Sequence, residues 1–230
     1  MNIRVSIILL ILIVSLTDSL NAQELKSELD EVYNMNPELY NGSIFTGVYR
    51  GRVDGTQFLL SKDFFTGDIG LKVNTFKQQQ LNYDVYEQKV LLSFKDDIEA
   101  IKIIEVPLAN LNFFYLDNKY FEVQEWEGNS YRIFQVFGDD SLKILIHWTK
   151  TLNAGTGSQN NRSKFSNLKK RLWLYIDGDY HPIKNNKTLI SHLSPDQQAL
   201  VKEWLKKNKI KIQKADDEEF QMIIDYLAIQ

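Results

Sequence analysis

Residues 131–150 read YRIFQVFGDDSLKILIHWTK, from Tyr131 to Lys150, the longest uninterrupted strand pattern in the chain. Ile133, Phe134, Val136 and Phe137 make one β-prone run, and Leu142, Ile144, Leu145, Ile146 and Trp148 make another. Between them stands Gly138-Asp139-Asp140-Ser141, residue types that accept the tight backbone of a turn. The stretch is a central hairpin, and short apolar runs broken by polar turns repeat on both sides of it.

Upstream, strand patterning begins after Asn41-Gly42 with SIFTGVYR (43–50), followed by a turn at Asp54-Gly55. TQFLLSK (56–62), a break at Thr66-Gly67 and DIGLKV (68–73) come next. Leu81–Tyr86, Lys89–Phe94 and Ile101–Val106 continue the theme, and Pro107 ends the last of these because proline cannot donate to a ladder. Leu111–Val123 predicts a second hairpin turning at Asp117-Asn118. Its flanking Phe113, Phe114, Tyr115, Tyr120 and Phe121 are either core or a stacking surface for sugars or bases, and β-propensity favours core. Downstream, Thr151–Asn167 is rich in Gly, Ser and Asn and predicts a flexible loop. RLWLYIDGDYHPI (171–183) predicts a last hairpin turning at Asp177-Gly178.

The C-terminus changes period. Ser194-Pro195-Asp196-Gln197 combines an N-cap hydroxyl, a first-position proline, an acid against the helix dipole and a glutamine that can reach back. Leu200, Val201, Trp204 and Leu205 give that helix an apolar stripe, with Lys206-Lys207 at its negative end. Lys209-Ile210-Lys211-Ile212 alternates, which predicts a short edge strand with its lysines outward. Asp216 or Asp217 then caps a second helix carrying Phe220, Ile223, Ile224 and Leu227. The expected fold is mainly β, an antiparallel meander, sandwich or half-barrel or barrel, with a C-terminal pair of α-helices, α+β overall.

The N-terminus reads as an address. Arg4, the apolar run Val5–Leu16 and a small residue at Ala22 have the form of a cleavable signal peptide over 1–22, and the run is shorter than the roughly 20 residues a spanning helix needs. Residues 23–40 are expected to be a helix or tail, 41–190 the β domain with its flexible loop at 151–167, and 191–230 a helical unit packed on the sheet. With no cysteine in 230 residues an exported chain has no disulfide framework, which favours a periplasmic, extracellular or cell-surface location in a Gram-negative bacterium. A hydrophobic content of 43% is ample for a core, and a net charge of -3 gives no general attraction to nucleic acid. Chance accounts for the sequons at Asn41, Asn161 and Asn186 in a chain this rich in asparagine.

No chemical motif stands out. His147, His181 and His192 lack metal-ligand spacing, so no metal or cofactor is expected. Gly155-Thr156-Gly157-Ser158 lacks the lysine of a phosphate loop, no GxSxG elbow occurs, and Asp177 and Asp179 are explained by a hairpin tip. An enzyme would have to use scattered acids such as Asp84 and Glu122.

The run from Gly55 to Leu92, with LNYDVY (81–86), and the tail around Lys206–Ile212 resemble a group of exported β-rich proteins of Gram-negative bacteria with no established activity. The resemblance implies localisation and architecture and transfers no site residue. The expected function is a non-catalytic interaction or accessory module whose partner is another envelope protein, with Lys206, Lys207, Lys209 and Lys211 as the partner-binding face. The alternative is a binder of a small apolar or glycan ligand in a β-barrel or groove.

Overall fold

The computed structural model describes residues 36, 38–47, 53–96, 98–126, 130–154 and 162–229. The expected signal peptide, residues 23–35 and the Gly155–Ser158 stretch lie outside the described residues. Among the described residues fourteen strands form two sheets. They are β1 (Ser43–Ile44), β2 (Val53–Asp54), β3 (Phe65–Leu71), β4 (Asn74–Asp84), β5 (Lys89–Lys95), β6 (Ile101–Val106) and β7 (Leu111–Leu116), then β8 (Lys119–Trp126), β9 (Ser130–Gly138), β10 (Leu142–Thr149), β11 (Leu152–Asn153), β12 (Ser163–Phe165), β13 (Lys169–Ile176) and β14 (Asp179–Ile183). Among the described residues three helices follow: α1 (Asn186–Ser191), α2 (Pro195–Lys207) and α3 (Asp217–Ile229).

The main sheet is antiparallel and 11-stranded, in the order β1-β6-β5-β4-β3-β7-β8-β9-β10-β13-β14. The hairpins at Asp117-Asn118, Asp177-Gly178 and Gly138–Ser141 turn where the sequence predicts, whereas β3 and β4 turn at Lys72-Val73, inside the run expected as a strand over 68–73. Asp117-Asn118 has φ of 50° and 60°, and Asp177-Gly178 has 55° and 88°, the positive pair that a type I′ turn requires. At the central hairpin Gly138 has φ 106°, and a Cβ there would fall 2.1 Å from the Leu142 carbonyl oxygen. Asp139 Oδ1 accepts from the Ser141 N–H at 2.9 Å and closes the turn.

Several expected strands are redrawn. The run 56–62 makes only an isolated bridge, Phe58 to Asp84, because buried side chains of β4 hold it instead of a ladder. Asn82 Nδ2 donates to the carbonyls of Ser61 (3.1 Å) and Asp63 (2.8 Å), and Gln57 Nε2 donates to Asp84 Oδ2 at 2.5 Å. Thr66-Gly67 lies within β3, followed by a register shift before Ile69, where Asp68 Oδ1 accepts the Gln78 N–H at 2.9 Å. The Thr151–Asn167 insert is anchored at its ends. There β11 pairs β12, and β12 pairs β2 in parallel, burying Phe165; residues 155–161 lie outside the described residues.

The sheet curls in both directions. Toward one face, Tyr83 of β4 meets the rings of Phe114 and Phe121 at 5.9 and 5.7 Å although β3 and β7 intervene between β4 and β8. That face continues across β10 and β13, where Ile144, Ile146, Leu172 and Leu174 pack against Val201, Leu205, Phe220, Ile223, Ile224 and Leu227 of the helices. The helical unit therefore shares a core with the sheet, as the apolar stripes predict. Lys170 Nζ, over the Phe220 ring at 4.6 Å, donates to the Ala215 carbonyl at 2.6 Å.

Candidate functional site

Helix α2 begins with the capping box expected of Ser194 and Gln197: the Gln197 N–H donates to Ser194 Oγ, and the Ser194 N–H donates to Gln197 Oε1. Asp216 and Glu219 form the same reciprocal pair ahead of α3. The short α1 was not expected. Asn185 caps it through the Thr188 N–H at 3.0 Å, and Thr188 Oγ1 returns the bond to the Asn185 N–H.

The expected edge strand over Lys209–Ile212 is a connector. The Ile210 N–H bonds the Leu205 carbonyl and the Lys209 N–H bonds the Lys206 carbonyl, with Lys209 at φ 58°, a Schellman cap. Ile210 and Ile212 still alternate inward and are buried. Asn186 fixes this connector from both sides, donating to the Ile210 carbonyl at 2.7 Å and accepting from the Ile212 N–H at 2.9 Å. Its side chain is thus committed to the fold rather than free for a glycan.

Val201 and Leu205 of α2 and four residues of α3 face the core, yet both helices carry a second apolar stripe. Leu200 and Trp204 are four residues apart, as are Met222 and Tyr226. Trp204 and Tyr226 stack nearly parallel, with centroids 4.6 Å apart and planes 13° apart. Leu200 is 49% exposed and Met222 43%. Leu200, Trp204 and Tyr226 line an open groove of about 590 Å³, with Glu203, Lys206 and Lys207 as its remaining walls.

The expected lysine face is therefore divided. Lys206 and Lys207 rim the groove, while Lys209 and Lys211 lie beyond its end on the connector. All four are exposed, and among the described residues none is in an ion pair. The Trp204–Tyr226 stack was missed by sequence reasoning. Trp204 belongs to the apolar stripe of α2 and packs partly against the core, as the stripe predicts, but the angle between α2 and α3 also brings it to the groove beside Tyr226.

The other candidates resolve into structural roles. Asp84 Oδ1 accepts from the N–H groups of Tyr86 and Glu87, both at 2.9 Å, and burial raises its pKa. Glu122 accepts from Lys143 Nζ at 3.1 Å, so the two acids serve separate partners. His147 is held by the Ile133 carbonyl, 3.0 Å from Nδ1, which fixes the proton on that nitrogen, and burial lowers its pKa. His181 and His192 stack at 4.5 Å, and among the described residues no third ligand joins them. Asp177 and Asp179 sit at the β13–β14 turn as expected. Among the described residues no helix is long and apolar enough to cross a membrane. No family model, no curated protein and no solved structure matches the chain.

Proposed function

We propose that this chain is a non-catalytic accessory module that docks another protein through the groove between α2 and α3. The observation that carries the reading is the half-buried Trp204–Tyr226 stack, rimmed by Lys206 and Lys207. An aromatic pair left at the surface is a typical anchor site, and unpaired lysines beside it favour a partner segment whose apolar side chain is flanked by acids. Export to the envelope rests on Arg4, the Val5–Leu16 run and Ala22, kinship with exported β-rich proteins rests on the Gly55–Leu92 run and the tail around Lys206–Ile212, and the two together make the partner an envelope protein.

Co-purification from native cells tests this. Trp204→Ala is expected to weaken capture by about 2 kcal/mol, roughly 30-fold, as a central anchor does. Lys206→Gln with Lys207→Gln reduces capture most at low salt, where screening is weakest. Lys209→Gln with Lys211→Gln has a smaller effect, because these residues stand outside the groove. Capture unchanged by Trp204→Ala and by the Lys206/Lys207 pair sinks the proposal.

A further inference from the structure

His181 and His192 are two of the three histidines in the chain, and they meet although one belongs to a strand and the other to a helix end. Their rings stack with centroids 4.5 Å apart and planes 26° apart, and both residues are half-buried. His181 stands on β14, the last strand of the main sheet, opposite Leu174 of β13. Directly opposed residues share a face, and Leu174 is buried in the core under the helices, so His181 lies on the helix side of this edge strand. His192 is the C-cap of α1, its N–H donating to the Leu189 carbonyl at 3.2 Å.

The stack sits where the helical unit joins the sheet. Ile183 of β14, Leu189 of α1 and Leu193 just after it are all buried in the shared core. The start of α1 is fixed by the Asn185 cap and by the two bonds of Asn186 to the 210–212 connector. Its other end is held by the burial of Leu193, by Gln198 Nε2 donating to the Leu193 carbonyl at 3.0 Å, and by the ring stack. Only His192 and Leu193 separate α1 from Ser194, the N-cap of α2, so movement of this end reaches the start of α2.

The charge around the stack offers little to offset two cations. Among the described residues neither ring is in an ion pair with a carboxylate. The elements packed around it carry Asp179 on β14, Lys184 and Lys187 around the start of α1, Asp196, Lys202 and Glu203 on α2, and Lys209 and Lys211 on the connector. Leu172, Leu174 and Ile176, the helix-side positions of β13, carry no charge. One protonated imidazole over a neutral one is tolerated, because the neutral ring presents a negative π face. Two protonated rings at this separation repel, and a half-buried contact leaves little water between them to screen the repulsion.

We propose that the His181–His192 stack is an acid-released latch between the end of α1 and the edge strand. Histidine is the side chain whose charge changes between about pH 5 and 8. The docked end resists the second proton whereas the released end takes both, so acid favours release and docking returns as pH rises. Release uncovers the helix side of β14 around Ile183 and frees the first turn of α2. The latch stands apart from the α2–α3 groove, whose walls begin at Leu200.

Hydrogen–deuterium exchange of the full chain at about pH 7.5 and pH 5, corrected for the chemical exchange rate, tests the latch. Protection of the 187–193 amides is expected to fall at least about tenfold at the lower pH, while the 133–146 amides of the central hairpin change less than about threefold. His192→Phe and His181→Phe each keep a ring to stack and remove one titrating group, and each should hold the change at 187–193 below about threefold. Protection of 187–193 that is independent of pH in the wild type, a loss as large in both variants, or a loss shared equally by the central hairpin overturns the inference. If His192→Phe fails to fold, His181→Phe at the sheet edge decides.

Discussion

Phe220→Ala tests whether sheet and helices are one cooperative unit. The ring is 1% exposed, stacks on Phe137 of β9 at 5.3 Å with planes 29° apart, and lies under Lys170 Nζ at 4.6 Å. Truncating a buried phenylalanine costs about 3–5 kcal/mol. Loss of the cation over its face adds about 0.5–2 kcal/mol, of which the lower end applies because Lys170 keeps its bond to the Ala215 carbonyl. A total near 4 kcal/mol corresponds to a melting temperature lowered by about 8–16 °C for a chain of this size. Urea and thermal melts in a Trp204→Phe background provide the assay, because the remaining tryptophans, Trp126, Trp148 and Trp173, all lie in the sheet. Their fluorescence and the far-UV signal of the helices should fall together at the lower midpoint. A double-mutant cycle with Lys170→Met should return a coupling of about 0.5–2 kcal/mol. If the sheet tryptophans melt at the wild-type midpoint while helical signal is lost early, the two parts are separate units and the shared-core reasoning fails.

Burial raises the Asp84 carboxyl pKa above its ordinary 3.8, so the folded state holds that proton more tightly than the unfolded chain. Its contribution to stability is present at low pH and is lost as pH rises through 3.8 toward the raised value. Asp84→Asn keeps an acceptor for Tyr86 and Glu87, and the Gln57 amide can flip to accept from the new one. The variant should therefore gain on the wild type as pH goes from 3 to 7; parallel stability profiles across that range contradict this. Replacing 154–162 with a short Gly/Ser linker should move the melting temperature by no more than about 2 °C, since loop closure changes slowly with length. Extending the replacement through Phe165, which is buried against Tyr86 with rings 5.4 Å apart, should cost about 3 kcal/mol by calorimetry; equal melting of the two variants would refute the anchoring role of β12.

Local chemistry made much of the fold readable. The hairpins at Gly138, Asp117-Asn118 and Asp177-Gly178, the capping box at Ser194 and the stripe from Phe220 to Leu227 each depend on residues a few positions apart. Turn sterics, caps and the periods of strand and helix act over that distance, so the sequence alone determined a mainly β chain finished by helices. The N-terminal half of β4, Asn74–Gln80, is mostly polar and was invisible, because strand pairing runs through backbone groups that leave no side-chain signature. The run 56–62 and Lys209–Ile212 have the alternation of strands but bury their apolar residues from a side-chain-clamped segment and a Schellman turn, since alternation reports burial rather than pairing. Lys206 and Lys207 of the candidate groove were legible in the sequence, but the aromatic contacts belonged to tertiary structure. Trp204 meets Tyr226 only through the angle between two helices, and Trp126 meets Tyr180 only because five strands coil by the handed twist that each strand carries. That coiling accumulates over long sequence separations, where no local pattern records which side chains will converge.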